Sequence, residues 1–194
     1  MKLFSHEYKI VDNIFSNPHD VVEFANQQQY RLATDDPYAT GNYAGRRSQA
    51  IHEINKNAFE KLCKIIVLPN IVRAKYEDVS WNISMYFSKI YAIDKPKVNQ
   101  IHTDQECIKA GIIYLKENID HDSGTILYND NDKKIKECKN KFNRGFFYNP
   151  NIKHAPAKFV DDRLALVFFI RHLIVKGREY TLEDGFTTPS FFMD

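Results

Sequence analysis

The sequence has 194 residues and a mass of 22.7 kDa, the size of one domain with a sizeable core. Lysine and arginine total 27 and aspartate and glutamate 25, so the net charge is +2, which excludes a nucleic-acid binder that works by bulk charge. The longest apolar run, residues 164–170, is far shorter than the roughly 20 residues that cross a bilayer, so we expect no membrane span.

The cysteines and the beginning of the chain favour a cytoplasmic protein. Cys63, Cys107 and Cys138 leave one thiol unpaired under any disulfide scheme, and none of them lies in a CxxC motif. We therefore expect three free thiols in a reducing compartment. The first residues turn polar too early for a signal peptide.

The first third of the sequence reads as helical. Asn17 is a good N-cap, and Pro18 suits the first position of a helix. A second helix is predicted to start near Ser48, because apolar residues then recur every three or four positions. That stripe consists of Ile51, Ile54, Ala58, Leu62 and Ile65.

From Ser80 onward the hydrophobic period changes to two, which indicates strands. Strands are predicted over 80–88, 108–115, 125–128, 144–148 and 164–170, separated by turns rich in Gly, Asn, Asp and Pro. The polar, lysine-rich stretch 129–141 is expected to be a solvated hairpin loop. The sequence thus predicts a mainly β fold with N-terminal helices, either a sandwich or a barrel.

Three residues carry the pattern of a metal site. Residues i and i+2 of a strand point to one face, so His102 and Asp104 are able to reach the same ion. His154, in a turn before a short strand, is the best candidate for a second histidine. Together they would form the 2-His-1-carboxylate arrangement of non-heme Fe(II) oxygenases. His102-x-Asp104 alone is a weak pattern, and an ordinary strand histidine remains the alternative.

Arg163 precedes the most apolar strand of the sequence, at 164–170. A buried arginine is costly unless an anion meets it, and a guanidinium binds a carboxylate through two parallel hydrogen bonds. A dicarboxylate cofactor is therefore a natural partner. The alternative is a surface arginine paired with Asp161 or Asp162.

In this order and spacing, the residues resemble the Fe(II)/2-oxoglutarate-dependent dioxygenases. The resemblance is to the prolyl-hydroxylase-like branch and its small uncharacterised relatives from phages and bacteria. It covers roughly residues 40–172. The matching stretches are 101–104, 110–115, 123–128, 143–148, 154–156 and 163–170, with 43–48 similar to a Tyr-Pro-Gly-x-Arg-Ser element in which Ala44 replaces the proline.

This resemblance implies a double-stranded β-helix, a cupin-like jelly roll. The chain would then be one dioxygenase domain, 1–194. Residues 1–75 would form a mainly helical support, 80–172 the jelly-roll core and 173–194 a C-terminal extension.

The resemblance also assigns residues to a site. His102, Asp104 and His154 would hold Fe(II), and Arg163 and Tyr114 would bind the C5 carboxylate of 2-oxoglutarate. Tyr91 would approach the metal-binding end of this cosubstrate. Core packing is the alternative for both tyrosines. Arg46 and Arg47 either lie in a solvated turn or bind an anionic group of the substrate.

The implied activity is hydroxylation of an aliphatic carbon with O₂, releasing succinate and CO₂. The expected substrate is a peptide or protein side chain or an amino acid, with no membrane partner. One alternative is a jelly-roll protein that binds metal without turnover. The other is a nucleic-acid-modifying oxygenase, which the net charge of +2 does not favour.

Overall fold

The computed structural model describes residues 7–35, 43, 45–91, 101–104, 106–117, 123–157 and 162–186. The helices are α1 Pro18–Asn26, α2 Ile51–Ile54 and α3 Lys56–Val67. The strands are β1 Tyr8–Val11, β2 Arg31–Leu32, β3 Arg46–Arg47, β4 Val79–Ile90, β5 Lys109–Tyr114, β6 Thr125–Tyr128, β7 Lys134–Cys138, β8 Gly145–Tyr148, β9 His154–Pro156, β10 Arg163–Val175 and β11 Arg178–Glu179.

The strands form two antiparallel sheets of unequal size. The larger has the order β1-β8-β5-β10-β4-β3-β2, with β11 paired to β10, and the smaller has the order β7-β6-β9. His102 adds an antiparallel bridge to His154 in β9, at the edge of the small sheet. The mainly β fold class predicted from the sequence is confirmed.

The two faces of the large sheet pack in different directions, because successive side chains of a strand alternate. On β10, Leu164, Leu166, Phe168 and Ile170 join the apolar cluster that contains the buried residues of α3. Ala165, between Leu164 and Leu166, belongs instead to a second cluster with Leu127 and Cys138 of the small sheet and with Tyr114, Phe146 and Tyr148. The second cluster lies between the sheets and borders the candidate site.

The described residues of 1–75, expected to be mainly helical, contain the three helices but also the short strands β1, β2 and β3. Helix α1 begins at Pro18 as expected, although the side chain of Asn17 makes no capping hydrogen bond. The second predicted helix is divided at Asn55 into α2 and α3. The Asn55 side chain accepts a hydrogen bond from the Ala58 amide at 3.0 Å and so caps α3, which ends α2 after one turn.

Two strand predictions need correction. The stretch 129–141 is not a loop throughout, because β7, Lys134–Cys138, pairs with β6. Its lysines suit the edge strand of a sheet, where charged side chains discourage pairing with other chains. The last apolar strand continues past Ile170 to Val175, with a bulge between Ile170 and His172.

The cysteine prediction is confirmed: Cys63, Cys107 and Cys138 are buried and free. Burial raises the pKa of each thiol to about 12, so all three stay protonated at neutral pH. In the described part of the chain, no helix combines the length and apolar character needed to cross a membrane.

Candidate metal centre

Backbone hydrogen bonds hold the two segments of the predicted metal site together. The His102 amide donates to the His154 carbonyl at 3.0 Å, and the His154 amide donates to the His102 carbonyl at 2.8 Å. Two residues on, the Asp104 amide donates to the Pro150 carbonyl at 3.0 Å. The segment before β5 is thereby fixed against β9, and residues distant in sequence become neighbours.

The structure brings His102, Asp104 and His154 into one cluster. One ligand atom from each residue lies within 4.8 Å of the other two. Asp104 Oδ2 is 3.2 Å from His154 Nε2, and Asp104 Oδ1 is 3.8 Å from His102 Nε2. The His102 side chain is 49% exposed, whereas that of His154 is 6% exposed. The cluster is therefore open to solvent on the His102 side.

The electrostatics of the cluster suit a cation. Burial raises the pKa of Asp104, but hydrogen bonding and charge from His154, with smaller contributions from His102 and Tyr148, outweigh it and the net pKa is lowered. His154 Nδ1 lies 2.9 Å from the Ile152 carbonyl oxygen. A carbonyl only accepts, so Nδ1 donates to it, and Nε2 is the ring nitrogen that faces Asp104. Nε2 of His154 and the Asp104 carboxylate thus point at the same place.

Tyr148 belongs to this centre, although the sequence analysis assigned it no role. Its hydroxyl donates to Asp104 Oδ2 at 3.0 Å and lies 3.3 Å from His154 Nε2. Burial and the negative charge of Asp104 raise the pKa of Tyr148 well above its usual value, so it remains a donor. Only the position of Tyr148 at the end of a predicted strand, six residues before His154, pointed towards it.

Arg163 and Tyr114 lie together farther along the space between the sheets. The guanidinium carbon of Arg163 is 5.4 Å from the centre of the Tyr114 ring, and Nη1 donates to the Gly124 carbonyl at 3.2 Å. The Tyr114 hydroxyl donates to Thr125 Oγ1 at 2.9 Å. Both side chains are buried. Burial lowers the pKa of Arg163 and raises that of Tyr114.

The register of β5 gives the distance along the sheet between the cluster of His102, Asp104 and His154 and the pair of Arg163 and Tyr114. Tyr148 lies opposite Ala110, near the start of β5, and Tyr114 is the last residue of that strand. The four residue steps from Ala110 to Tyr114 correspond to about 13 Å along the sheet. Tyr114, Tyr148 and Ala110 all belong to the cluster between the sheets. The cluster of His102, Asp104 and His154, called here the metal-type cluster, therefore lies at one end of the space between the two sheets, and the buried Arg163 lies at the other end.

Tyr91 and Arg46 lie together. The Arg46 guanidinium is 5.5 Å from the centre of the Tyr91 ring. Tyr91 also lines a cavity of about 290 Å³ with Arg163 and with Val22 and Asn26 of α1. The structure thus brings Tyr91 and Arg163 to one cavity, while the approach of Tyr91 to the metal end of a cosubstrate stays a prediction.

Arg47 lies apart from Arg46, among aromatic rings. Its guanidinium is 4.3 Å from the centre of the Tyr43 ring, 5.5 Å from that of Tyr86 and 5.4 Å from that of Phe169. Burial lowers the pKa of Arg47, while Tyr86, Tyr43 and Asp104 act in the opposite direction. A substrate-binding role for either arginine stays a prediction at this point.

Comparison with solved structures identifies the fold. A prolyl-4-hydroxylase from Pseudomonas putida superposes with a TM-score of 0.53 at 12% identity, covering 86% of this chain and 93% of that chain. HygX from Streptomyces hygroscopicus, with nickel and 2-oxoglutarate bound, gives 0.58 at 10% identity over 84% and 82%. The chain has the fold of the 2-oxoglutarate–Fe(II) oxygenases. A member of that oxygenase family from Burkholderia pseudomallei gives 0.55 at 9% identity over 90% and 89%.

This chain resembles these solved structures in fold, while its sequence differs from theirs at most positions. No known family matches the sequence in a family scan, and no curated protein matches it. The resemblance inferred from sequence motifs is therefore supported by the three-dimensional structure. At 9–12% identity, the roles of individual residues rest on the geometry of this chain.

Proposed function

We propose that the protein is an Fe(II)- and 2-oxoglutarate-dependent oxygenase that hydroxylates an aliphatic carbon. The observation that carries this proposal is the convergence of His102, Asp104 and His154, with ligand atoms within 4.8 Å, in a chain with the fold of these oxygenases. The proposed substrate is an amino acid or a peptide or protein side chain.

The donor set fits iron. Two imidazoles and one carboxylate on one side of an ion form the facial triad of non-heme Fe(II) enzymes and leave positions open. Iron and 2-oxoglutarate supply the oxidation of the substrate by O₂, with succinate and CO₂ as the other products. In this chain, the Ile152 carbonyl orients His154 and the Tyr148 hydroxyl orients Asp104. Such contacts fix ligand geometry.

The cosubstrate fits the other end of the space between the sheets. Arg163 is buried and presents a planar set of donors, which matches a carboxylate. Tyr114 lies beside it, and burial keeps its hydroxyl protonated. We assign both residues to the C5 carboxylate of 2-oxoglutarate. We assign Tyr91, which lines one cavity with Arg163, to the metal-binding end of the cosubstrate.

The architecture in this proposal is a double-stranded β-helix within one domain, 1–194. The large and small antiparallel sheets would be its two walls, with His102 continuing the small sheet beside β9. The helices of 1–75 would support the outer face of the large sheet, where the buried residues of α3 already pack. Residues 80–172 would form the core, and 173–194 the extension.

The names of two neighbouring structures indicate what kinds of molecule this fold accommodates. The Pseudomonas putida protein is a prolyl-4-hydroxylase, and HygX has also been solved with hygromycin B bound, at a TM-score of 0.55 and 9% identity. A prolyl group and a small molecule are thus both compatible with this fold. A nucleic-acid substrate has no comparable support, since the net charge is +2.

The test is conversion of 2-oxoglutarate to succinate in the presence of Fe(II) and O₂, measured by NMR. The wild type is expected to form succinate slowly without substrate, and His154→Ala is expected to form none. His172→Ala is the matched control, because His172 is half exposed and paired with Glu179. Folded, iron-loaded wild type that forms no succinate would contradict the proposal and favour a protein that binds metal without turnover.

A further inference from the structure

Arg47 is a charged side chain at the candidate site that the proposed roles do not use. Its strand, β3, pairs with β4 so that Arg47 lies opposite Ser88, while Arg46 lies opposite Lys89. Lys89 donates to Asn26 of α1, so Lys89 and Arg46 belong to the helix side of the sheet. Adjacent residues of a strand alternate, and Arg47 therefore faces the space between the sheets.

The Arg47 backbone is level with Tyr114, through Ser88 and Ala165, and its long side chain extends from there towards the metal end of this space. It lies 5.4 Å from the Phe169 ring. Phe169 is opposite Ala110 on β5, and Ala110 is opposite Tyr148 on β8. Tyr148 in turn donates to Asp104. The contact with Phe169 therefore places the tip of the Arg47 side chain on the side of the space that holds His102, Asp104 and His154.

The surroundings of Arg47 hold it without satisfying its donors. Three aromatic rings lie within cation–π range of the guanidinium. Stacked rings cover the faces of the group but leave the N–H donors at its edge free to bind an acceptor. Across the part of the chain that the structure describes, the Arg47 side chain forms no hydrogen bond and no ion pair.

In the proposed complex, the charges of Fe(II), Asp104, 2-oxoglutarate and Arg163 pair with one another, and no negative charge remains for Arg47. Asp104 and one carboxylate of 2-oxoglutarate would balance Fe(II), and the second carboxylate would balance Arg163. One positive charge, that of Arg47, then remains in a largely enclosed space. A partly buried cation is stable there when an anion meets it. An arginine fork is best matched by a planar carboxylate.

We propose that Arg47 binds a carboxylate of the substrate, and that the substrate is a small aliphatic acid of the amino-acid type. This inference rests on the proposed function and selects a free amino acid or acyl amino acid over an internal segment of a protein. Arg47 would hold the carboxylate beside the metal, so that oxidation takes place at a carbon a few bonds away. Arg46, on the helix side, has no part in this contact.

The test compares acids with their neutral amides. The probes are N-acetylproline, N-acetylleucine and N-acetylvaline, each paired with its primary amide. Binding is measured by calorimetry on the Zn(II)-loaded protein saturated with 2-oxoglutarate. We expect at least one acid to bind about tenfold or more tightly than its amide, since hydrogen bonds to charged groups are the strong ones.

The variants separate the substrate from the cosubstrate as the source of the anion. Arg47→Gln is expected to weaken acid binding roughly 10- to 100-fold while leaving 2-oxoglutarate affinity within about twofold. Arg47→Lys, which keeps the charge, should retain part of the preference. The control is Arg178→Gln, an exposed arginine paired with Asp184.

Three results would overturn the inference. Equal binding of acids and amides, or no binding of any acid, would remove the carboxylate contact. A loss of 2-oxoglutarate affinity in Arg47→Gln would assign Arg47 to the cosubstrate instead. Binding of 2-oxoglutarate to the wild type is measured first. If the wild type does not bind it, the proposed function itself fails, and this result differs from the two results that concern Arg47 alone.

Discussion

Replacement of Arg163 by methionine should have opposite effects on the empty protein and on cosubstrate binding. Arg163 is only 7% exposed, and burial lowers the pKa of its guanidinium, so folding disfavours the charged form. The Arg163→Met change would remove that desolvation penalty and lose the contacts of the guanidinium, among them the hydrogen bond to the Gly124 carbonyl, which is worth about 1 kcal/mol. The ligand-free variant should therefore be about as stable as the wild type, or more stable.

Cosubstrate binding should respond strongly to the same change. A buried carboxylate that loses its charged partner costs about 2–5 kcal/mol, which corresponds to a roughly 30- to 5000-fold weaker affinity. In wild type, 2-oxoglutarate at about 100 times its Kd should stabilise the Zn(II)-loaded protein by about 2.7 kcal/mol. In Arg163→Met at the same concentration, most of that stabilisation should vanish.

The assay is thermal unfolding with and without 2-oxoglutarate. Arg171→Met is the matched control, because Arg171 lies on the same strand but is exposed and paired with Glu106. That control should keep the full ligand-induced shift. An Arg163→Met protein that keeps the shift would refute the assignment of Arg163 to the cosubstrate. A variant that is strongly destabilised without ligand would refute the burial argument.

Three further predictions follow from individual contacts. Tyr148→Phe removes the hydrogen bond to Asp104 and should weaken Zn(II) binding by calorimetry about 10- to 100-fold, and unchanged affinity would contradict the orienting role. Burial lowers the pKa of Lys109 to about 8, against 10.5 when exposed, so the unfolded chain holds more protons between these values and the unfolding free energy should rise with pH there, by up to about 3 kcal/mol. Lys109→Met should flatten that rise in urea titrations, and an equal slope in both proteins would be inconsistent with it. A Cβ at Gly124 would lie 1.9 Å from the Cys138 carbonyl oxygen, so Gly124→Ala should lower the unfolding free energy by about 1–3 kcal/mol, and a neutral result would contradict this packing.

The candidate metal ligands were predictable from the sequence because local patterns mark the positions that supply them. His102 and Asp104 share a face through the period of two, and the apolar strand after Arg163 marks a buried position. The structure brings His154 to the first pair, which the spacing alone did not require. These predictions needed only strand periodicity together with a family resemblance.

Other features depend on pairing that the sequence does not encode locally. The hydrogen bond from Tyr148 to Asp104 joins β8 to the segment before β5, and the alternation of β3 separates Arg47 from Arg46. Strand β7 was expected to be a loop, because an exposed edge strand is rich in the charged residues that also mark loops. In each case, long-range pairing overrides local composition.

The central claim is that His102, Asp104 and His154 hold Fe(II) to which 2-oxoglutarate binds. The most direct measurement is an anaerobic titration of the protein with Fe(II) and 2-oxoglutarate, followed through the visible metal-to-ligand absorption of the chelate. We predict a band in the wild type that is absent in His102→Ala and that needs far more 2-oxoglutarate in Arg163→Ala. A folded, iron-loaded wild type without the band, or a band that persists unchanged in His102→Ala, would contradict the account.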